Sequence, residues 1–309
     1  MKYLLTLLLL VVMLTTGMAQ KFKPSLNLAP RGTYYLLSSG TSAIDQSING
    51  RENKVNLSLS FRMAFKVTSV TDSVYNMEVS YQSLDMKLRM ADTVIDMDSK
   101  KSSILDVPSS VIAAMMNKPF NILLTKSGNV KSVENAGKMI SDVVDSFPKI
   151  DSAKKIQIKK QFMESFGANT FKGILEAGTA IFPGTPVAKY DKWTVNTRVE
   201  APAKASLQTT YQLIDITSDF YQIHGDGTLV SDNDAKPAEI NGLPVKYNLN
   251  GTILTDIKVN KRTGWINEAN VKQLMSGNIE IPDNPKTRGG MTIPMTFNNE
   301  VTTTSPPAP

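Results

Sequence analysis

The stretch that decides the fold is Lys54 to Thr68, which reads KVNLSLSFRMAFKVT. Its apolar side chains fall on seven successive odd positions, whereas the even positions are mostly polar or charged. Because side chains alternate between the two faces of a β-strand, this period of two predicts one long strand with one apolar face. At about 3.3 Å per residue the strand would extend roughly 50 Å. We therefore expect it to be the centre of a large, curved antiparallel sheet.

The strand predicted to follow changes phase part-way along. Its apolar residues occupy odd positions from Tyr75 to Tyr81 and even positions from Leu84 to Met90. A bulge near Ser83 would keep all of them on one face, because one extra residue bends a strand and re-aims its side chains. Upstream of the long strand, Gly32 to Ser39 and Ser42 to Ile48 are predicted to be two separate strands.

The middle of the chain has helical periodicity. Residues 106–182 are predicted to be mainly helical with a hairpin at 120–133, and β-structure is predicted on either side, at 32–98 and 190–302. Helices between two β regions would cover the apolar face of a sheet that does not close on itself. The predicted fold class is therefore mainly β (α+β): a large curved antiparallel sheet or half-barrel covered by a central helical insert.

Both ends of the chain are predicted to lie outside the fold. Lys2 precedes an apolar run and a small-residue end, which is the pattern of a secretory signal peptide at 1–19, cleaved after Ala19. Residues 20–302 would then be a single β-rich domain, and the tail 303–309 is expected to be disordered. We expect an exported, soluble protein of the periplasm or the extracellular space, with no further transmembrane segment.

Composition excludes several classes of protein. The sequence contains no cysteine, which excludes a lipid anchor through cysteine, a disulfide framework and thiolate chemistry. The formal net charge of +6 is too weak and too dispersed for a nucleic-acid footprint. A basic surface in the predicted helical insert would suit lipid headgroups, or simply be a solvated helix face; it consists of Lys154, Lys155, Lys159 and Lys160.

Residues suited to catalysis or metal binding are scarce. His224 is the only histidine of the sequence, and we interpret it as a strand residue without a catalytic role. Gly225-Asp226-Gly227 lacks the third glycine and the helix of a phosphate-binding loop, so a hairpin turn is favoured. Asp92, Asp96 and Asp98 lack the spacing of a calcium-binding loop. We therefore expect no catalytic residue, no metal, no cofactor and no enzymatic activity.

The positive signal is the apolar face of the predicted sheet. It combines aromatic side chains with methionines, which adapt to irregular shapes such as those of flexible acyl chains. The alternative is an ordinary core covered by the helices. If a ligand enters, the candidates for contact with it are Leu59, Phe61, Met63, Phe65, Tyr75, Met77, Tyr81 and Met86.

Two functional hypotheses follow from this face. The first is an exported, non-catalytic binding protein for a hydrophobic or amphipathic ligand such as a lipid. The second is a ligand-free structural or protein-interaction module of the cell envelope, with an envelope protein as its partner. A cavity between the helices and the sheet would favour the first hypothesis, whereas an exposed apolar patch or an unpaired sheet edge would favour the second.

Four short motifs carry a resemblance to a known family. They are GTYY at 32–35, LTKSGNV at 124–130, PV at 186–187 followed by DKW at 191–193, and VNKRTGWI at 259–266. Over nearly the whole mature chain they resemble an uncharacterised family of exported Bacteroidota proteins, a domain of unknown function. In that family a glycine usually precedes the aspartate before the tryptophan, whereas Tyr190 stands there in this sequence.

The resemblance implies an exported location and a β–helices–β architecture, but no reaction. At the level of fold alone, this architecture is similar to the half-barrels of periplasmic lipoprotein carriers.

Overall fold

The computed structural model describes residues 20–91, 93–101, 106–199, 204–232, 236–240 and 242–308. The predicted signal peptide lies outside the described residues. The strands are β1 (Thr33–Ile48), β2 (Arg51–Val70), β3 (Val74–Met90), β4 (Thr93–Asp98), β5 (Phe120–Thr125), β6 (Val130–Glu134), β7 (Lys192–Val199), β8 (Ala205–Ile216), β9 (Phe220–Ser231), β10 (Ala238–Ile240), β11 (Leu243–Asn260), β12 (Ile266–Ile281) and β13 (Met291–Thr304). The helices are α1 (Val107–Met115), α2 (Ala136–Asp145), α3 (Ser152–Phe166) and α4 (Ala168–Thr179).

All of these strands belong to one curved, open antiparallel sheet. The main path runs β6-β5-β3-β2-β1-β13-β12-β11-β9-β8-β7, while β4 pairs with β3 and β10 pairs with β11. β6 and β7 are the two ends of this path, and among the described strands they are not paired with each other. The helices lie on the concave face, and the convex face is exposed to solvent. The predicted fold class is therefore confirmed.

The stretch from Lys54 to Thr68 lies within β2, a strand of 20 residues that pairs with β1 and β3. Its odd-numbered side chains point to the concave face, where Met63, Phe65 and Val67 are at most 4% exposed. Burial decreases towards the other end of the strand, where Val55 and Leu57 are only partly buried. The inward side chains of β2 are therefore buried in its second half and partly exposed in its first half.

The predicted bulge in β3 is present. Gln82 is the extra residue between Tyr81, which lies opposite Met63, and Ser83, which lies opposite Arg62. The bulge lets the apolar side chains of β3 pass from odd to even numbers while they stay on the concave face. The shift of the apolar residues from odd to even positions therefore agrees with the bend of β3 at this bulge.

The two strands predicted in the first β region are a single strand. β1 continues through Gly40, which lies opposite Leu59 on β2 and Val301 on β13. A Cβ atom at Gly40 would lie 2.9 Å from the Val301 side chain, so glycine here allows close cross-strand contact. The break in the apolar pattern marks this contact and does not end the strand.

The prediction of a disordered tail at 303–309 is wrong for the part that the structure describes. Thr303 and Thr304 are the last residues of β13. Beyond them, the Ser305 hydroxyl donates to the backbone carbonyl of Tyr35 at 2.9 Å. The low apolar content of this tail did not reveal that a neighbouring strand would supply hydrogen-bond partners.

The helical insert forms where periodicity predicted it. Asp151 caps α3, because its side chain accepts a hydrogen bond from the backbone N–H of Lys154 at 2.9 Å. The buried side of α2 contains Met139, Ile140, Val143 and Val144. Among the described residues, no helix is both long enough and apolar enough to span a membrane.

One end of the concave face is closed by hydrogen bonds to both sheet edges. The buried carboxylate of Glu176 on α4 accepts from the backbone N–H of Val130 on β6, at 2.7 Å. At the opposite edge, the indole N–H of Trp193 on β7 donates to the carbonyl of Ile181, just after α4, at 2.8 Å. These contacts hold the helices across the gap between the two unpaired edges.

The N-terminal segment crosses the same end of the sheet. The backbone N–H of Leu26 donates to the carbonyl of Lys126, at 2.9 Å, and that of Asn27 donates to the carbonyl of Thr263, at 2.8 Å. Leu26 and Leu28 are buried. This end of the molecule is therefore filled by the chain itself.

Candidate functional site

The concave face divides into a covered half and an open half. In the covered half, the helices and the N-terminal segment pack on the sheet, and the apolar side chains form one large core cluster. Towards the opposite end of the strands, a second, small cluster on β8 and β9 consists of Ala205, Leu207 and Leu229, and Met275 packs against it. In the open half, on β1, β2, β3, β12 and β13, many inward apolar side chains are only partly buried and lie outside both clusters. They include Ile44, Val55, Leu57, Leu88, Met90, Val271, Met295, Phe297 and Val301.

Strand register aligns the side chains of the open half into rows that cross the sheet. Ile44 lies opposite Val55 on one side and Phe297 on the other. Val55 in turn lies opposite Met90, and Phe297 lies opposite Met275. We call these five residues the apolar row. Its length is about 19 Å, because neighbouring strands lie about 4.8 Å apart. A partly exposed apolar row of this length suits an elongated hydrocarbon.

The eight residues predicted to contact a ligand share the concave face but lie at different depths. Five are buried in the covered half, at 6% exposure or less: Met63, Phe65, Tyr75, Met77 and Tyr81. The other three are partly buried, pack against the edge of the core cluster and border the open half: Leu59, Phe61 and Met86.

The surroundings of Phe65 show how the covered half is filled. Phe65 is 1% exposed, and its ring packs edge-on against Trp265, with 5.3 Å between the ring centroids. The ring of Tyr34 also lies 5.3 Å from Trp265. The indole N–H donates to the backbone carbonyl of Tyr35 at 3.3 Å. Side chains, rather than an open space, therefore surround this predicted contact residue.

The two buried tyrosines of β3 are also part of this packing. Tyr81 packs edge-on against Phe166 of α3, with 6.1 Å between the ring centroids. Burial raises the pKa of Tyr81 well above its usual value. The Tyr75 hydroxyl donates to the carbonyl of Leu26 at 3.0 Å and accepts from the N–H of Leu28 at 3.1 Å. Burial also raises the pKa of Tyr75. Both side chains are thus part of the packed covered half.

The predicted basic surface on α3 is largely paired with nearby oxygen atoms. The Lys159 ammonium lies 2.7 Å from the Asp145 carboxylate, and that of Lys160 lies 3.3 Å from the Glu239 carboxylate. Lys155 donates to the backbone carbonyl of Asp145 at 2.9 Å. The hydrogen bond from Lys159 is the main cause that lowers the pKa of Asp145. Pairing therefore leaves less free positive charge for lipid headgroups than the sequence spacing suggests.

His224 lies on the convex face, in β9. Its Nδ1 atom is 2.7 Å from the Asp256 carboxylate, and its Nε2 atom is 3.4 Å from Asp226. The hairpin turn predicted for Gly225-Asp226-Gly227 is wrong, because these residues lie within β9. A Cβ atom at Gly225 would lie 2.6 Å from the Tyr211 ring. Glycine is therefore needed here so that the ring can lie over the strand.

The aspartates weighed as calcium ligands have other contacts. Asp92 lies outside the described residues. The Asp96 carboxylate is 3.1 Å from the Lys101 ammonium, and Asp98 accepts from the backbone N–H of Lys100 at 2.8 Å. In the part of the chain that the structure describes, no three histidine, aspartate or glutamate side chains come together as a metal ion requires.

Sequence reasoning missed the contribution of β12 and β13 to the concave face. These strands supply Val271, Met275, Phe297 and Val301 to the open half. The signal was present as alternation from Ile293 to Val301, but alternation alone does not tell which other strand shares the same face. The pairing of β1 with β13 supplies that information.

Comparison with solved structures places the fold near that of lipovitellin. This chain is similar to a lipovitellin structure described under the heading of lipid–protein interactions, with a TM-score of 0.50 and 10% sequence identity. The match covers 91% of this chain and 25% of the lipovitellin chain, so this chain spans about a quarter of its length. At such low identity the likeness concerns the fold alone.

A second match is an outer membrane channel from Pseudomonas putida F1, with a TM-score of 0.25 and 8% identity over 91% of this chain and 97% of that one. Its TM-score is too low to support any argument.

Among curated proteins, none matches this sequence. The sequence does match a family over residues 72–266, which is more than half of its 309 residues. The chain therefore belongs to the Family of unknown function (DUF6263).

Proposed function

We propose that this protein is an exported, non-catalytic binding protein for a hydrophobic or amphipathic ligand, which lies on the open half of the concave face. The observation that carries the proposal is the apolar row, which remains partly exposed and of which four residues lie outside both core clusters, while Met275 packs against the smaller one. Contiguous apolar surface gains about 25 cal/mol for each Å² that a ligand removes from water. The likeness to lipovitellin supports the proposal at the level of architecture.

In this proposal the predicted contact residues have two roles. Leu59, Phe61 and Met86 border the open half and contact the ligand. The five buried residues fix the shape of the sheet instead, because the helices and Trp265 already occupy the space next to them. The ligand surface therefore extends from the three border residues towards the hairpin tips.

Native mass spectrometry of protein purified without detergent tests this function. We expect a lipid-sized adduct that disappears after delipidation on a hydrophobic resin. Leu57→Glu places a charge on the open half and should abolish the adduct. Ser58→Glu is the matched control, because Ser58 is exposed on the convex face, and it should keep the adduct. A clean unliganded mass for the natural protein, or equal adducts in both variants, would contradict the proposal.

The location in the periplasm or the extracellular space is part of the same proposal. It is supported by the predicted signal peptide at residues 1–19. Fractionation of the producing cells, with N-terminal sequencing of the recovered protein, should give a first residue at Gln20. Recovery of the uncleaved chain from the cytoplasm would contradict an exported binding protein.

A further inference from the structure

The concave face carries almost no charge. Side-chain alternation and strand register assign each strand residue to one of the two faces. Among the described strand residues, every lysine, arginine, aspartate and glutamate falls on the convex side, except Arg51 at a hairpin tip and Lys131, a bulge residue of β6 that the register assigns to neither face. Gln46 and Asn53, which face inward near the same tip, are polar but uncharged. A ligand on the open half therefore finds no counter-charge next to the apolar row.

Three hydrogen-bonding side chains lie side by side in the open half. Ser42 on β1 lies opposite Asn299 on β13, which in turn lies opposite Gln273 on β12. We call these three residues the polar cluster. Apolar neighbours extend the same row, since Leu57 lies opposite Ser42 and Ile253 lies opposite Gln273. The polar cluster is thus directly next to the apolar row and framed by apolar side chains.

The polar cluster has unused hydrogen-bonding capacity. The Ser42 hydroxyl donates to Oδ1 of Asn299 at 2.9 Å. Nε2 of Gln273 lies 3.1 Å from the sulfur of Met275, which is a weak acceptor. Within the described residues, Nδ2 of Asn299 and Oε1 of Gln273 have no hydrogen-bond partner in the protein. The cluster therefore offers one amide donor and one carbonyl acceptor on neighbouring strands, and all three side chains are partly buried.

We propose that the ligand is an uncharged amphipathic lipid, whose hydroxyl, ester or amide group binds the polar cluster while its hydrocarbon chain lies along the apolar row. This inference rests on the function proposed above and adds the class of ligand. A carboxylate or phosphate on this face would lose hydration without gaining a counter-charge, whereas a neutral polar group needs only hydrogen bonds.

Three probes that share an unsaturated C18 chain test the class: monooleoylglycerol, which is neutral and polar; oleate at a pH where it is ionised; and 1-octadecene, which is apolar. Each displaces the fluorescent hydrocarbon diphenylhexatriene from the delipidated full-length exported protein. We expect monooleoylglycerol to bind at least tenfold more tightly than oleate. The double substitution Asn299→Leu with Gln273→Leu should weaken monooleoylglycerol binding about tenfold and leave 1-octadecene binding within twofold. Asn298→Leu is the matched control on the convex face and should change neither.

The outcomes separate this inference from the proposed function. If oleate binds as tightly as monooleoylglycerol, the ligand class is overturned while the binding function stands. The same conclusion follows if the double variant weakens all three probes equally, because the polar cluster would then only shape the sheet. If no probe binds the natural protein, the binding function and the ligand class are both overturned. Retained 1-octadecene binding also shows that the double variant is folded.

Discussion

Removing a phenylalanine ring from the covered half and removing one from the open half should have different effects on stability and on ligand binding. Phe65→Ala empties a site that is 1% exposed and in contact with Trp265, so we expect it to lower the free energy of unfolding by about 3–5 kcal/mol. Phe297→Ala removes a ring that is partly exposed and outside both core clusters, so the expected loss is about 1 kcal/mol or less.

Urea unfolding followed by tryptophan fluorescence measures both losses. With a slope of about 3 kcal/mol per molar, the midpoint should fall by about 1 M or more for Phe65→Ala and by about 0.3 M or less for Phe297→Ala. Ligand binding should respond in the opposite order, with Phe297→Ala reducing the adduct seen by native mass spectrometry, without abolishing it, more than Phe65→Ala does. Equal loss of stability at the two positions would refute the division into a covered half and an open half.

Further substitutions test the contacts that hold the helices to the edge of the sheet, and the burial of Tyr211. Gly128→Ala should strongly lower the melting temperature, because Gly128 has a φ of +86° and a Cβ atom there would overlap the carbonyl oxygen of Thr179 at the end of α4. Gly173→Ala is the matched substitution within α4. A Cβ atom at Gly173 meets open space, so this variant should stabilise α4 by about 1 kcal/mol. Glu176→Ala leaves the buried N–H of Val130 unpaired and should cost about 1–3 kcal/mol in thermal unfolding, whereas Glu176→Gln keeps an acceptor and should cost less. Burial raises the pKa of Tyr211 to about 12, so its contribution to stability is complete below the unfolded value near pH 10 and is lost as the pH rises through about 12. Urea unfolding at several pH values measures this loss of unfolding free energy. Tyr211→Phe should make the decline between about pH 10 and pH 12 less steep. An unchanged decline would contradict the assignment of the raised pKa to Tyr211.

The parts of the fold that alternate regularly could be predicted from the sequence. The long run around Phe61 specified β2, and the phase change before Leu84 located the bulge at Gln82. Tyr190 adopts a φ of +74°, a backbone conformation that favours glycine, so the sequence resemblance pointed to an unusual turn at this position. Alternation of apolar and polar residues was therefore sufficient to predict single strands and the bulge within one of them.

The open half could not be predicted because its composition depends on pairing between distant segments. Ile44 and Phe297 are far apart in sequence and become neighbours only when β1 pairs with β13. The misread glycines have the same origin, since Gly225 faces the Tyr211 ring of the neighbouring strand, and nothing near it in sequence shows this contact. The predicted contact residues all lie on β2 and β3, whereas the uncovered surface extends over β1, β2, β3, β12 and β13.

The most direct test of the central claim uses the absence of cysteine from the sequence. A single thiol is introduced in the open half, as Phe297→Cys, or at the adjacent convex position, as Asn298→Cys. The rate of alkylation by a small polar reagent is then measured before delipidation, after it, and after the extracted lipid is returned. We predict that the thiol at position 297 reacts at least tenfold faster after delipidation and is protected again when lipid returns, while the thiol at 298 reacts at one constant rate. Equal rates at position 297 in all three states would contradict a ligand on the open half.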